Sequence, residues 1–201
     1  YGIGILNPSI LLIDTEEELI KSLTEGGLVV LDADINISDA LIIEKDTILD
    51  LNGKKLINDN IVNGQSVGLK VRSGNVVIKG EGLIKTTAKT KDDFSIAVWA
   101  QGGNVKIMGG TFENAGDGCE LIYTSGTGIV NIFDGTFNAT EIRNQTVYNR
   151  VVMDNAPGAI WYNTRAWCNS SKLRVNITKE TAEYHDLALP PAINWKPAAE
   201  R

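Results

Sequence analysis

The acids are where chemistry would begin. Asp92, Asp93, Asp117, Glu120 and Asp134 gather in one part of the chain, with Lys91 and Arg143 as the nearest bases. Carboxylates brought to one face could act on a polysaccharide in two ways. They could hold a calcium ion while a basic residue abstracts a proton, as a lyase requires. Two of them could instead share the work of a glycosidase, at a separation set by the mechanism. Asp92, Asp93 and Asp117 are the candidate catalytic residues, because each precedes the same kind of strand in successive copies of a repeat. Acids also fill solvated turns, and that is the preferred reading of all three.

Aromatic side chains are the second group. Trp99, Trp161, Tyr162 and Trp167 are candidate ligand-binding residues, since an apolar ring with a polar tip suits stacking on sugar. Trp99 alternates out of phase with Val98, as an exposed residue does. It marks either a ligand platform or a subunit interface, with the interface preferred. Tyr123 falls in an aligned apolar column and is expected inside the fold or at its end. The single histidine, His185, has no Cys, His or acidic grouping at metal spacing. No metal, cofactor or Ser-His-Asp triad is expected. Gly80-Glu81-Gly82 and Gly102-Gly103 lie between strands, not ahead of a helix, so they are corners and no phosphate loop.

A repeat must position these groups. Aligned without gaps, Thr47–Leu56, Gly74–Leu83, Gly103–Phe112 and Gly128–Phe137 superimpose. One apolar column reads Leu49, Val76, Val105, Val130, and the next Leu51, Ile78, Ile107, Ile132. A glycine column (Gly53, Gly80, Gly109) is broken by Asp134. A further column reads Leu56, Leu83, Phe112, Phe137. The register extends back to Ala40, Val67, Ile96, Leu121 and to Ile42, Leu69, Val98, Tyr123. The offsets are 27, 29 and 25 residues. Alternation of apolar and polar residues is strand periodicity. The period leaves no room for a crossover helix and is too short for a propeller blade of roughly 40 residues. It predicts a parallel β-helix whose corners use Gly, Asn and Asp.

The runs Gly103-Asn-Val-Lys-Ile-Met-Gly-Gly-Thr-Phe-Glu-Asn114 and Gly128-Ile-Val-Asn-Ile-Phe-Asp-Gly-Thr-Phe-Asn138 resemble coils of right-handed parallel β-helix proteins of the pectate-lyase-like superfamily. Such coils are frequent in bacteriophage spikes and fibres and in repeat proteins of gut bacteria. The resemblance covers about residues 15–138. It implies an all-β fold, a short right-handed solenoid with an N-terminal capping helix and an extended C-terminal tail. No arginine motif resembling that of the pectate lyases is present.

The expected organisation is an N-terminal arm at 1–14, a capping helix at 15–27, the parallel β-helix at 28–179 and a tail at 180–201. The arm is apolar (Ile3, Ile5, Leu6, Ile10 to Ile13) with Pro8 as a break, and needs a partner surface on its own solenoid or on a neighbour. In the helix, Thr15 is the N-cap, Glu18 closes a capping box, and Glu16 to Glu18 sit at the positive end of the dipole. Leu19, Ile20 and Leu23 form its apolar stripe, and Gly26-Gly27 ends it. Strands are expected at Leu28–Leu31, Ile35–Ile37, Val147–Met153, Ala159–Tyr162 and Leu173–Ile177, with one irregular coil between Val130–Ile132 and Leu173–Ile177. The tail carries Pro190-Pro191 and Trp195-Lys196-Pro197, a composition that suits neither helix nor central strand.

Totals set the bounds. At 201 residues one domain is the default, and 43% apolar residues is ordinary for a globular chain. Net charge is −6 with the signs interspersed, so no basic footprint for nucleic acid or anionic membrane is present. No apolar run is long enough to span a bilayer, and residues 1–13 lack the charged start of a signal peptide. Cys119 and Cys168 form at most one pair, and no disulfide framework is expected. The five Asn-x-Ser/Thr sequons (Asn36, Asn138, Asn144, Asn169, Asn176) read as turn composition.

Two functions follow as expectations. The first is a structural virion protein of a bacteriophage: a head fibre, capsid decoration or tail-spike segment on the virion surface. It would be a homotrimer, joined to other virion proteins through the arm or tail and able to contact host surface polysaccharide. The alternative is a polysaccharide lyase or hydrolase, or a carbohydrate-binding module, outside the cell or on a bacterial surface.

Overall fold

The computed structural model describes residues 11–90, 93–115, 121–143, 146–149, 151–156, 159–162 and 173–175, with side chains described through residue 138. A two-residue strand, β1 (Leu12–Ile13), leads into α1 (Glu16–Glu25). Strands then follow in threes. The first turn is β2 (Gly27–Leu31), β3 (Ile35–Asn36) and β4 (Leu41–Ile43). The second is β5 (Thr47–Asp50), β6 (Lys54–Asn58) and β7 (Gln65–Val71). The third is β8 (Asn75–Lys79), β9 (Gly82–Thr86) and β10 (Phe94–Ala100). In the fourth, two strands fuse into β11 (Asn104–Ala115), followed by β12 (Ile122–Thr124). The fused pattern recurs in β13 (Ile129–Arg143).

Each strand pairs in parallel with its counterpart one turn away, which makes the fold a parallel β-solenoid with three faces. Face one stacks β1, β2, β5, β8 and the first halves of β11 and β13. Face two stacks β3, β6, β9 and the second halves of β11 and β13. Face three is the four-stranded sheet β4, β7, β10, β12.

The interior follows from register. Because side chains alternate across a strand, every second residue of each face points in and lies above its equivalent. Val29, Leu49, Ile78, Ile107 and Ile132 form one buried column on face one. Ile35, Leu56, Ile84, Phe112 and Phe137 form another on face two. Leu41, Leu69, Val98 and Ile122 form a third on face three. Each such side chain contributes about 1.5–3 kcal/mol by leaving water, and together they make one continuous core.

This register corrects the gapless alignment in its first copy. Leu49 pairs with Ile78 and not Val76, so the first offset is two residues longer than expected. Ile84 and not Leu83 continues the Leu56 column. Tyr123 lies beside Trp99 in the outward row and not in the core column, which Ile122 occupies.

Polar ladders hold the corners between rungs. Asp46 accepts from the Asn75 backbone N–H at 2.7 Å, and Asn104 Nδ2 donates to Asn75 Oδ1 at 3.3 Å one rung further on. At the next corner Asn52, at φ 47°, donates from its side chain to Leu31 O at 2.8 Å. A left-handed backbone suits Asn because its short side chain can bond locally. Between faces two and three the ladder is buried. Asn58 Nδ2 donates to Val67 O at 2.8 Å, Asn114 Nδ2 to Ser95 O at 2.7 Å, and the Thr86 and Ser95 hydroxyls share a hydrogen bond at 2.8 Å.

The helix packs on β2 and β4 at the N-terminal end of the stack. Thr15 Oγ1 accepts from Glu18 N at 3.2 Å, and Gly26 closes the helix at φ 79° with its N–H on Ser22 O. The Glu18 carboxylate takes Asp14 N at 3.4 Å. Leu19 and Leu23 are buried over the first rung, whereas Ile20 is 49% exposed and belongs to no core stripe.

Beyond β13 the chain leaves the repeat. β14 (Thr146–Asn149) pairs antiparallel with the end of β13, and β15 (Val151–Ala156) pairs antiparallel with β16 (Ala159–Tyr162). β16 returns to face two beside β13, and β17 (Leu173–Val175) returns to face one, pairing Leu173 with Val130. No irregular coil separates β17 from β13.

Candidate functional site

Where the two halves of β11 and β13 meet, the solenoid turns from face one to face two. The repeat places glycines there: Gly80 and Gly82, then Gly109-Gly110, then Gly135. Gly110 sits at φ 95°, and a Cβ on it would stand 2.8 Å from Leu51 Cδ1. β11 and β13 also slip in register around Met108. Missing side chains at one place in successive rungs leave a groove of about 510 Å³ along this corner. Its floor is backbone. Its rim carries Glu81 on one rung, Met108 with Thr111 on the next, and Asp134 with Thr136 on the third. Thr111 and Thr136 are register neighbours, and Met108 is 45% exposed. Asp134 Oδ1 accepts from Gly135 N at 2.7 Å.

Such a lining offers carboxylates, hydroxyls and backbone groups around an exposed thioether. It can hydrogen-bond a hydroxyl-rich ligand along its length. Glu81 and Asp134 stand two rungs apart, which separates their backbones by roughly 10 Å at the ~4.8 Å spacing of paired strands.

The acids singled out in the sequence do different work where they are described. Asp93 closes its own loop: Oδ2 accepts from Lys89 N at 2.9 Å and from Thr90 N at 2.8 Å. The Thr90 and then the Lys89 backbone hydrogen bonds hold its carboxyl below the usual aspartate value. Asp92 and Asp117 lie outside the described residues, as do Lys91, Glu120, Trp167, His185 and both cysteines. Among the described residues, no three His, Cys, Asp or Glu side chains could hold a metal ion.

Trp99 lies on the outer surface of face three, in the row Ile42, Lys70, Trp99, Tyr123. The Lys70 ammonium stands 3.9 Å from the indole centroid. Tyr123 tilts against the ring at 57° with centroids 5.3 Å apart, and Trp99 Nε1 donates to Ser125 Oγ at 2.8 Å. Partial burial and then repulsion from Arg72 lower the Lys70 pKa, opposed by Asp39. The indole is thus already engaged by its own neighbours. Trp161 and Tyr162 fall in β16, in register with Phe137 and Asn138. Their positions share neither face nor row with Trp99.

Of the groove residues, only Asp134 stood out as an acid in the sequence. Glu81, Met108, Thr111 and Thr136 did not. The available signal was glycine recurring beside Thr at one repeat position, in Gly110-Thr111 and Gly135-Thr136.

Fold and groove together define the class: a parallel β-solenoid capped by one helix near its N-terminus, with a glycine-floored groove along one corner. No family model, no curated protein and no solved structure matches the chain. No helix among the described residues is long and apolar enough to cross a membrane.

Proposed function

We propose that the chain is a structural, non-catalytic solenoid of a bacteriophage virion surface, a head fibre, capsid decoration or tail-spike segment, that contacts host polysaccharide. The observation that carries the glycan contact is the corner groove. It is floored by glycine backbone and lined by carboxylates, hydroxyls and an exposed thioether, groups that can meet a hydroxyl-rich ligand. The virion setting rests on the likeness of the Gly103–Asn114 and Gly128–Asn138 coils to those of phage spikes and fibres of the pectate-lyase-like superfamily. Assembly as a homotrimer, with attachment to other virion proteins through the N-terminal arm or C-terminal tail, belongs to the same reading.

The competing reading is a polysaccharide lyase or hydrolase, favoured by the acids on the groove rim. One experiment separates the two. The purified chain is titrated with bacterial capsular and lipopolysaccharide-derived glycans by calorimetry, and the mixtures are assayed for new reducing ends and unsaturated products. Binding without product, weakened about tenfold or more by Asp134→Ala with Glu81→Ala, is the expected result. One lost charged hydrogen bond is worth ~1.5–3 kcal/mol, so two suffice for that change. Product formation would transfer the groove to the enzyme reading. No binding to any glycan would remove the polysaccharide contact. Light scattering on the same sample should give a trimer, and a stable monomer at micromolar concentration counts against the assembly.

A further inference from the structure

Asn-Gly occurs twice in the chain, at Asn52-Gly53 and Asn63-Gly64. This pair is chemically labile. The glycine amide nitrogen can attack the asparagine side-chain carbonyl carbon, because no Cβ on the glycine hinders the approach. The new N–C bond closes a five-membered succinimide, and ammonia leaves. Water then opens the ring at either carbonyl, giving aspartate or isoaspartate. One water is consumed and one ammonia released, with no oxidant or reductant. Both copies share one backbone conformation, with the asparagines at φ 47° and 51° and each glycine at 74°. Both asparagines are exposed. What differs is how the reacting groups are held.

At the Asn52 corner both groups are tied to neighbouring rungs. Asn52 Nδ2 donates to Leu31 O at 2.8 Å on the rung before. Gly53 N, the nucleophile, donates to Glu81 O at 2.6 Å on the rung after. Attack needs the carboxamide to swing towards Gly53 N, so bonds to both rungs must break first. Asn63-Gly64 is instead the tip of a two-residue turn between β6 and β7. Val62 and Gln65 exchange backbone hydrogen bonds at 2.8 and 3.0 Å across it, a pairing that Asn-Gly favours. Gly64 O accepts from Phe94 N at 2.8 Å. These bonds hold the ends of the turn and leave the reacting groups untouched. Neither the Asn63 carboxamide nor Gly64 N has a hydrogen-bond partner among the described residues. Local opening is cheapest where few buried contacts must be broken, as at an exposed turn.

We propose that Asn63 is a site of spontaneous deamidation in the folded protein, and that stacking between rungs shields Asn52 from the same reaction. The product puts a carboxylate where the carboxamide stood. In isoaspartate the main chain also gains one carbon, which a two-residue turn has no room for, so the Val62–Gln65 pairing is lost. The site lies between faces two and three, on a different corner from the groove, and is independent of any glycan contact.

The test incubates the full chain at mildly alkaline pH in heavy-oxygen water, folded and, in parallel, unfolded in urea. Label enters when water opens the succinimide, so peptide mapping by mass spectrometry counts the modification at each asparagine. In urea the two sites should react at similar rates, since only the local sequence then acts. In the folded chain Asn63 should react about tenfold faster than Asn52 or more, the order expected when Asn52 must first break two further hydrogen bonds. A folded-state rate at Asn52 equal to or above that at Asn63 would overturn the proposal. So would a folded chain that keeps Asn63 intact over the time in which the unfolded chain loses both, because the turn would then shield its own tip.

Discussion

Phe112 and Phe137 are register neighbours on β11 and β13, and their rings stack with centroids 5.0 Å apart and planes 6° from parallel. Both are fully buried. Their stacking follows from parallel pairing, because equal residues at equal repeat positions must lie one above the other at about the strand spacing. The pair continues the column that Ile35, Leu56 and Ile84 begin.

Phe112→Ala should therefore be costly. It removes a ring enclosed between Ile84 and Phe137, and such truncations lose about 3–5 kcal/mol. Phe112→Leu should lose less, since much of the volume stays. Urea unfolding followed by circular dichroism measures both. A loss under about 1 kcal/mol for the alanine variant would contradict the packing described.

The buried corner between faces two and three depends on a shared proton. Ser95 Oγ bonds Thr86 Oγ1 at 2.8 Å and accepts from Ala115 N at 3.2 Å, with both side chains fully buried. Ser95→Ala strips these groups of a partner in a buried site and should cost about 1–3 kcal/mol. Adding Thr86→Val removes the orphaned hydroxyl, so the double variant should be less destabilised than the two single losses added together. Strict additivity in a double-mutant cycle would show that the hydroxyls are not coupled.

Loop closure by Asp93 should depend on pH in one direction. Its carboxyl pKa is lowered in the folded chain by the Thr90 and Lys89 amides. At pH values between the folded and unfolded pKa the unfolded chain binds more protons, so stability rises with pH across that window and falls as the pH is lowered through it. The contribution is complete above about pH 4 to 5, the unfolded range, and is lost as pH drops through the folded value. Melting temperature measured from pH 6 down to pH 2.5 should fall less steeply for Asp93→Ala than for the unaltered chain. Parallel curves would rule the loop out as an acid-sensitive element.

Trp99 is held by Lys70 and Tyr123, so its removal should act on stability and spare the groove. Lys70→Met keeps the aliphatic stem and deletes the charge, for an expected loss of about 0.5–1 kcal/mol. Trp99→Ala should destabilise further while leaving glycan affinity within twofold. A tenfold loss of glycan binding in a folded Trp99→Ala chain would move the binding site to face three.

The sequence by itself determined the architecture and the helix. Alternation is a rule about residues two apart, capping a rule about residues three apart, and both act within a few bonds. Thr15, Glu18 and Gly26 could be assigned to helix ends, and Val105 with Val130 to one column, before any coordinates. Tertiary structure decided what distance along the chain conceals. A slip of two residues preserves which side chains face inward, unlike a slip of one. Alternation was therefore blind to the choice of Val76 or Ile78 as partner for Leu49, and rung packing with loop length made it. One-residue shifts at loops did reverse a face, and so Tyr123 lies outside while Ile122 is in the core. Ile20 fitted a helical stripe but has no rung beneath it. The groove was the least legible feature, because it is made by side chains that are missing at Gly80, Gly109, Gly110 and Gly135, and only stacking brings those absences together.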